Sequence, residues 1–227
     1  MNKPVIAIDG PAASGKGTLA RSMAQKLGFA YMDTGALYRA SAFEVMNAGL
    51  SIRDAKDVVD GAQILVKKIQ NAKSPADILN NPALREDKIG QEASKIAAYE
   101  RVREVLNDLQ RDFAQNPGKP FKGAVLDGRD IGTIICPKAD CKLYITAKTE
   151  IRAQRRLKEL HSRRLEATYG AVLKDMRERD ARDQSRKTAP MKPADDAIII
   201  DSSEMDAGKL LETAMGFAKE KLAERLN

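Results

Sequence analysis

Five short apolar runs punctuate the chain: Val5–Asp9 (VIAID), Ala124–Asp127 (AVLD), Lys142–Thr146 (KLYIT), Ala197–Asp201 (AIIID) and the more mixed Phe29–Asp33 (FAYMD). Helical patterns separate them. This alternation predicts parallel strands joined by crossover helices, an α/β protein with a five-stranded parallel sheet flanked by helices. Continuously apolar runs suit strands buried on both faces. Four of the runs end in an aspartate, and all five precede a turn or a helix. Ligands of open parallel sheets sit beyond the carboxyl ends of the strands, so these acids are positional candidates for a site.

Leu19, Met23 and Leu27 recur at helical spacing, which predicts a helix over Thr18–Leu27 closed by Gly28. A last helix is expected to start near Ser202–Ser203, where serine precedes an acid, and to run through Leu210, Leu211, Met215 and Leu222. Two stretches break the strand–helix rhythm. Residues 41–116 are polar and helical, with loop signals at Lys73–Ser74–Pro75 and Asn80–Asn81–Pro82; residues 150–187 are arginine-rich and helical. Both read as insertions into a core made of residues 1–40, 117–149 and 188–227.

The net charge of +7 permits an anionic partner, whether nucleic acid, phosphorylated metabolite or membrane surface. Residues 148–187 hold 13 Lys and Arg against 7 Asp and Glu, so most of the excess lies there. Aromatic residues make up 4% of the chain, with no Trp and no interleaving of rings and cations for stacking bases, which argues against a nucleic-acid partner. No run of 18 apolar residues predicts a membrane span. The leading MNKPVIAIDG has an acid and a glycine where an export signal needs apolar residues, so a cytoplasmic protein is expected. Cys136 and Cys141 lack metal-site spacing and His161 is the one histidine, which fits reduced thiols rather than zinc.

The first run leads straight into Gly10-x-x-x-x-Gly15-Lys16 and then into the Thr18–Leu27 helix. In that order of strand, glycine-rich loop and helix, consecutive N–H groups turn inward onto phosphate oxygens, the helix start adds partial positive charge, and the lysine reaches the β- and γ-phosphates. Gly17 replaces the usual hydroxyl after the lysine, with Thr18 one residue late. Phosphates and water are therefore expected to hold Mg²⁺, with Asp127 orienting a water.

MDTGALYR puts Asp33 or Thr34 in position to cap a helix. Arg39 near the positive start of that helix calls for an anion or acid. LDGRDIGT reads either as a salt-bridged turn or as a site with Asp127 near the metal-bound water and Arg129 and Asp130 at an acceptor. Arg152, Arg155 and Arg156 share one helix face, where Glu159 can pair with Arg155 or Arg156. Arg179, Asp183 and Arg186 share another. A salt-bridge ladder and a closing lid both fit that second face.

The ordered segments IAIDGPAASGKGTLA, DTGALYRA, LDGRDIGT, RAQRRLKEL, RERDARDQSR and KPADDAIIIDSS resemble the bacterial cytidylate (CMP/dCMP) kinases, a branch of the nucleoside monophosphate kinases, over almost the whole chain. The resemblance implies transfer of a phosphoryl group from ATP to CMP or dCMP with Mg²⁺. It implies a P-loop core, an NMP-binding insertion at 41–116 and a short arginine-rich lid at 150–187. In it, Gly10, Pro11, Ala12, Ala13, Ser14, Gly15, Lys16, Gly17 and Thr18 hold the ATP phosphates, and Lys16 neutralises the migrating group. Thr34 and Arg39 hold the acceptor. Ser94, Arg103, Asp130 and Arg186 read cytosine, Arg179 and Asp183 contact the sugar, and Arg155 and Arg156, with Arg152, are the lid cations. A monomer that binds small nucleotides is expected.

Two departures bear on the insertion. The family commonly has a small antiparallel sheet there, but Ala62–Asn81 offers only short apolar runs, so a reduced or absent sheet is expected. Ser94 and Arg103 would face opposite sides of one unbroken helix, so their shared role needs a break near Tyr99–Glu100. Arg101 is the alternative.

Overall fold

β1 (Val5–Asp9) is the middle strand of a five-stranded parallel sheet in this computed structural model, which describes residues 3–224. Residues 1–2 and 225–227, included in the expected core, lie outside the described residues. The other strands are β2 (Ala30–Asp33), β3 (Ala124–Gly128), β4 (Cys141–Thr146) and β5 (Ile198–Asp201), in the order β2–β3–β1–β4–β5. Ile6 stands opposite Val125 on one side and Cys141 on the other. The carboxyl end of β1 is thus flanked by Gly128 of β3 and Tyr144 of β4.

The chain divides into two compact units, residues 1–32 with 114–227, and residues 33–113. In the first unit, α1 (Lys16–Leu27) and α9 (Ala207–Glu224) cover one face of the sheet. Leu19, Met23, Leu210 and Ala214 pack there with Ile6, Ile8, Leu143 and Ile145. Gly28 ends α1 at φ 66°, a left-handed conformation that costs glycine little, and its N–H reaches the Ala24 and Gln25 carbonyls. A π-helical turn (Ile131–Ile135) follows β3, and α7 (Thr149–Ser162) packs on α8 (Tyr169–Gln184) through Ala153, Leu160, Val172 and Met176.

Two expectations fail in this unit. α9 begins at Ala207, because Asp206 accepts the Lys209 N–H at 2.8 Å and caps it, while Ser202 is occupied elsewhere. The Ala197–Asp201 run is not buried on both faces. β5 is an edge strand in which Ile200 is buried and Ile199 is 60% exposed.

The second unit is helical: α2 (Thr34–Asn47), α3 (Ala55–Asn71), α4 (Pro75–Leu79), α5 (Asp87–Ile96) and most of α6 (Glu100–Gln115). Asp33 caps α2 by accepting the Ala36 N–H at 3.1 Å, and Asp54 caps α3. Residues 33–40, expected with the core, cluster here because α2 packs on α3 and α5. The α2–α3 approach is close: a Cβ on Gly61 would stand 2.3 Å from Val45 Cγ2 and 3.1 Å from Val45 N. Residues 41–116 contain no strand, as their short apolar runs led one to expect. Ala97–Tyr99 separate α5 from α6, which is the required break.

Candidate functional site

The turn out of β1 depends on glycine. Gly10 has φ 144°, and a Cβ there would lie 2.0 Å from the Ile145 carbonyl oxygen of β4. No side chain fits. Ala13 (φ 58°) and Gly15 (φ 90°) are also left-handed, which alternates the peptide planes of the loop and gathers its N–H groups on one side. No side chain caps α1, whose first-turn N–H groups adjoin the loop.

The carbonyls are held on the other side. Arg152 Nη1 donates to the Ala12 carbonyl at 3.2 Å, and Ser202 Oγ donates to the Ser14 carbonyl at 2.9 Å. In a trans peptide the following N–H points opposite its carbonyl, so Ala13 N–H points away from Arg152 and Gly15 N–H away from Ser202. Lys16 is 8% exposed and folds back until its Nζ is 3.4 Å from the Pro11 carbonyl. The Ala13 and Gly15 N–H groups and an ammonium folded onto the same loop are donors of the kind a polyphosphate needs.

The holding groups come from α7 and the β5–α9 turn. Arg152 is 3% exposed and also bonds the Ala147 carbonyl, Thr149 Oγ1 and, at 2.6 Å, Asp180 Oδ2 of α8. Arg155 donates to Ser202 Oγ at 3.0 Å, to the Ser202 carbonyl at 2.6 Å and to the Met205 carbonyl at 3.3 Å. Arg156 pairs with Glu159, settling which arginine that acid meets. The shared face of three cations is therefore partly a scaffold for the loop.

Asp127, at the end of β3, is 4% exposed. Its Oδ1 accepts the Tyr31 hydroxyl at 3.0 Å, and a Cβ on Gly17 would stand 3.5 Å from its Oδ2. The carboxylate faces the start of α1. Thr18 is exposed.

The segment after β3 is tightly fixed. The Asp130 carbonyl accepts from Ile134 N at 2.9 Å, Ile135 N at 3.2 Å and Thr133 Oγ1 at 3.3 Å. Asp9 accepts the Ile131 and Gly132 N–H groups, each at 2.8 Å. Burial pushes the Asp9 carboxyl up to about 7, against the pull of those two N–H groups. Asp183, 2% exposed, binds both Arg186 and, at 3.2 Å, Arg129 Nε; Arg129 Nη1 also reaches the Gly128 carbonyl. On this face Asp183 pairs with Arg186, and through Arg129 it joins α8 to the β3 end. Arg179 lies one turn before Asp183 on α8.

In the second unit Thr34 is buried at the start of α2, and Arg39 lies 3.9 Å from Asp33, the acid its helix position called for. Ser94 and Arg103 are buried, while Arg101 is exposed. The Arg103 guanidinium stacks 5.7 Å from the Tyr38 ring centroid.

Sequence reasoning passed over Tyr31, Asp180 and the loop-holding role of Ser202, which it read as a helix cap. Asp9 was marked only as a strand-end acid. Tyr31 meets an acid 96 positions away, a pairing that no local spacing signals.

A family model described as cytidylate kinase matches residues 6–220. A protein named cytidylate kinase from Paramagnetospirillum magneticum is 50% identical over 217 residues, covering 96% of this chain and 98% of that protein. Another from Rhodospirillum rubrum is 49% identical with the same coverage, and one from Methylocella silvestris is 46% identical over 93% of this chain and 92% of its own length. Among solved structures, an uncharacterized protein from Eubacterium ventriosum shares the fold at TM-score 0.53 and 13% identity, covering 96% of this chain and 99% of that one.

Proposed function

The chain belongs to the cytidylate kinase family and is a nucleoside monophosphate kinase that phosphorylates CMP and dCMP with ATP, and we propose that it does so by direct in-line transfer at the β1–α1 loop. The observation that carries this reading is the fixing of the Ala12 and Ser14 carbonyls, which turns the Ala13 and Gly15 N–H groups away from Arg152 and Ser202, in a loop onto which the Lys16 ammonium folds.

Phosphoryl transfer needs alignment and charge neutralisation more than covalent help. Lys16 meets the charge on the migrating group. The α7 arginines Arg152, Arg155 and Arg156 add to the positive field on that side, the first two while bracing the loop and its β5–α9 support. Thr34 and Arg39 hold the acceptor phosphate, and Arg129 also serves the acceptor. Ser94, Arg103, Asp130 and Arg186 read the cytosine edge, which mixes a donor amino group with acceptors. A wrong base sets its own donors and acceptors against this pattern and is rejected. Arg179 and Asp183 contact the sugar.

Mg²⁺ bound to the ATP phosphates supplies further charge neutralisation. Asp127 fits such an ion as a buried oxygen donor facing Gly17, acting through water. Phosphates and water complete the coordination in this reading. The two cysteines are free, which suits a reducing cytoplasm, and the reading extends to a monomer with small nucleotides as its partners.

A crystal grown with CMP and a non-hydrolysable ATP analogue tests these assignments. The cytosine edge should meet Asp130, Ser94, Arg103 and Arg186. A cytosine bound away from all four overturns the base-reading set.

A further inference from the structure

We propose that Asp9 is a positioning residue for the acceptor-binding segment Arg129–Thr133, acting through the two main-chain N–H groups it holds. The inference rests on the reading of Asp130 as a base-recognising group.

Asp9 is 4% exposed and closes β1 just before the phosphate loop. Its carboxylate nonetheless turns to the neighbouring strand end. Oδ1 takes the Ile131 N–H and Oδ2 the Gly132 N–H, both at 2.8 Å. These are the two peptides immediately after Asp130, whose backbone sits at φ −148°, ψ 25°. The Asp130 carbonyl is gripped from the other side by the N–H groups of Ile134 and Ile135. The peptide that follows Asp130 is therefore held at both its N–H and its carbonyl, and the next one at its N–H.

The far end of the same turn has a separate brace. Lys142 Nζ donates to the Pro137 carbonyl at 2.6 Å and to Asp196 at 2.8 Å, and its stem runs past Gly132, where a Cβ would lie 3.2 Å from Lys142 Cδ and 3.4 Å from Asp9 Oδ2. A π-helical turn is an uncommon geometry that recurs at functional sites, and this one is held where it begins by Asp9, with Lys142 fixing the chain two residues past its end. A bidentate carboxylate between adjacent N–H groups sets direction, because both oxygens must be satisfied together.

The test is Asp9→Asn. The carboxamide keeps the shape but points a donor NH2 at one of the two N–H groups. The KM for CMP should rise about tenfold, and the CMP-over-UMP ratio of kcat/KM should fall by a similar factor, with the KM for ATP within about twofold of normal. A purely structural role would move both KM values together, and a role in the phosphate loop would move the KM for ATP. Either outcome overturns the proposal. If Asp9→Asn does not fold, Gly132→Ala crowds the same contacts. A raised KM for CMP with an unchanged KM for ATP then supports the proposal, and an unchanged KM for CMP overturns it. Asp130→Ala separates the two layers. An unchanged base preference in that variant overturns the base-reading assignment and this inference with it. A lost preference there, with an unchanged one in Asp9→Asn, overturns the inference alone.

Discussion

The Tyr31 hydroxyl donates to Asp127 Oδ1 at 3.0 Å, tying β2 to the end of β3 and leaving Asp127 Oδ2 toward Gly17. Arg21 of α1 lies over the same tyrosine ring, 5.3 Å from its centroid. Tyr31 thereby orients the carboxylate assigned to the metal-bound water. Tyr31→Phe removes the hydrogen bond to Asp127, worth about 1 kcal/mol. The Mg²⁺ concentration for half-maximal rate should rise severalfold, with little change in thermal unfolding. An identical Mg²⁺ titration in wild type and variant counts against the Asp127 assignment.

Lys16→Ala should lower kcat by roughly 10²–10³ while far-ultraviolet circular dichroism and Tm stay near wild type. The ammonium lies 3.4 Å from the Pro11 carbonyl of the loop itself, outside the sheet-to-helix core of Leu19, Met23, Ile6 and Ile8. A variant with near-normal kcat removes the loop from the mechanism.

Ser202→Ala should act on the ATP side. The serine is fully buried, and its hydroxyl lies 2.9 Å from the Ser14 carbonyl and 3.0 Å from the Thr146 carbonyl while accepting from Arg155. Without it the Ser14–Gly15 peptide is free to rotate and the inward N–H loses its fixed direction. The KM for ATP should rise about fivefold, with the KM for CMP within twofold. An unchanged KM for ATP shows that the brace does not set the loop.

Asp9 gives the protein a pH-dependent stability. Its carboxyl is raised from 3.8 to about 7, mainly by burial, with Asp130 opposing ionisation and the two N–H groups and Arg129 favouring it. Between about pH 4 and 7 the folded chain holds a proton that the unfolded chain has released. Stability from this group is therefore present below pH 4 and is lost as pH rises to 7, by up to about 1.4 kcal/mol per pH unit. Urea unfolding of wild type and Asp9→Asn checks this. The stability difference, wild type minus variant, should decline from pH 4.5 to 7.5. A constant difference shows that the carboxyl does not titrate in this range.

All five strands were legible because each is a short apolar run ending in a turn signal, and the phosphate loop because glycine spacing and strand–loop–helix order are local properties. The break between α5 and α6 was needed by Ser94 and Arg103 before it was seen at Ala97–Tyr99. What the sequence could not show are pairings set by the fold. Ser202 sits beside acid residues and reads as a cap, yet its hydroxyl is used 188 positions away at Ser14. The exposure of Ile199 follows from its edge position, which strand order decides and composition does not. The resemblance made the α7 arginines lid cations, whereas Arg152 and Arg155 give most of their donors to protein carbonyls and hydroxyls.

The most direct test of the account is the initial rate with saturating ATP and Mg²⁺ against CMP, dCMP, UMP and AMP in turn. The account predicts that kcat/KM is highest for CMP and dCMP, with UMP and AMP well below them. A kcat/KM for UMP or AMP that clearly exceeds that for CMP would contradict it.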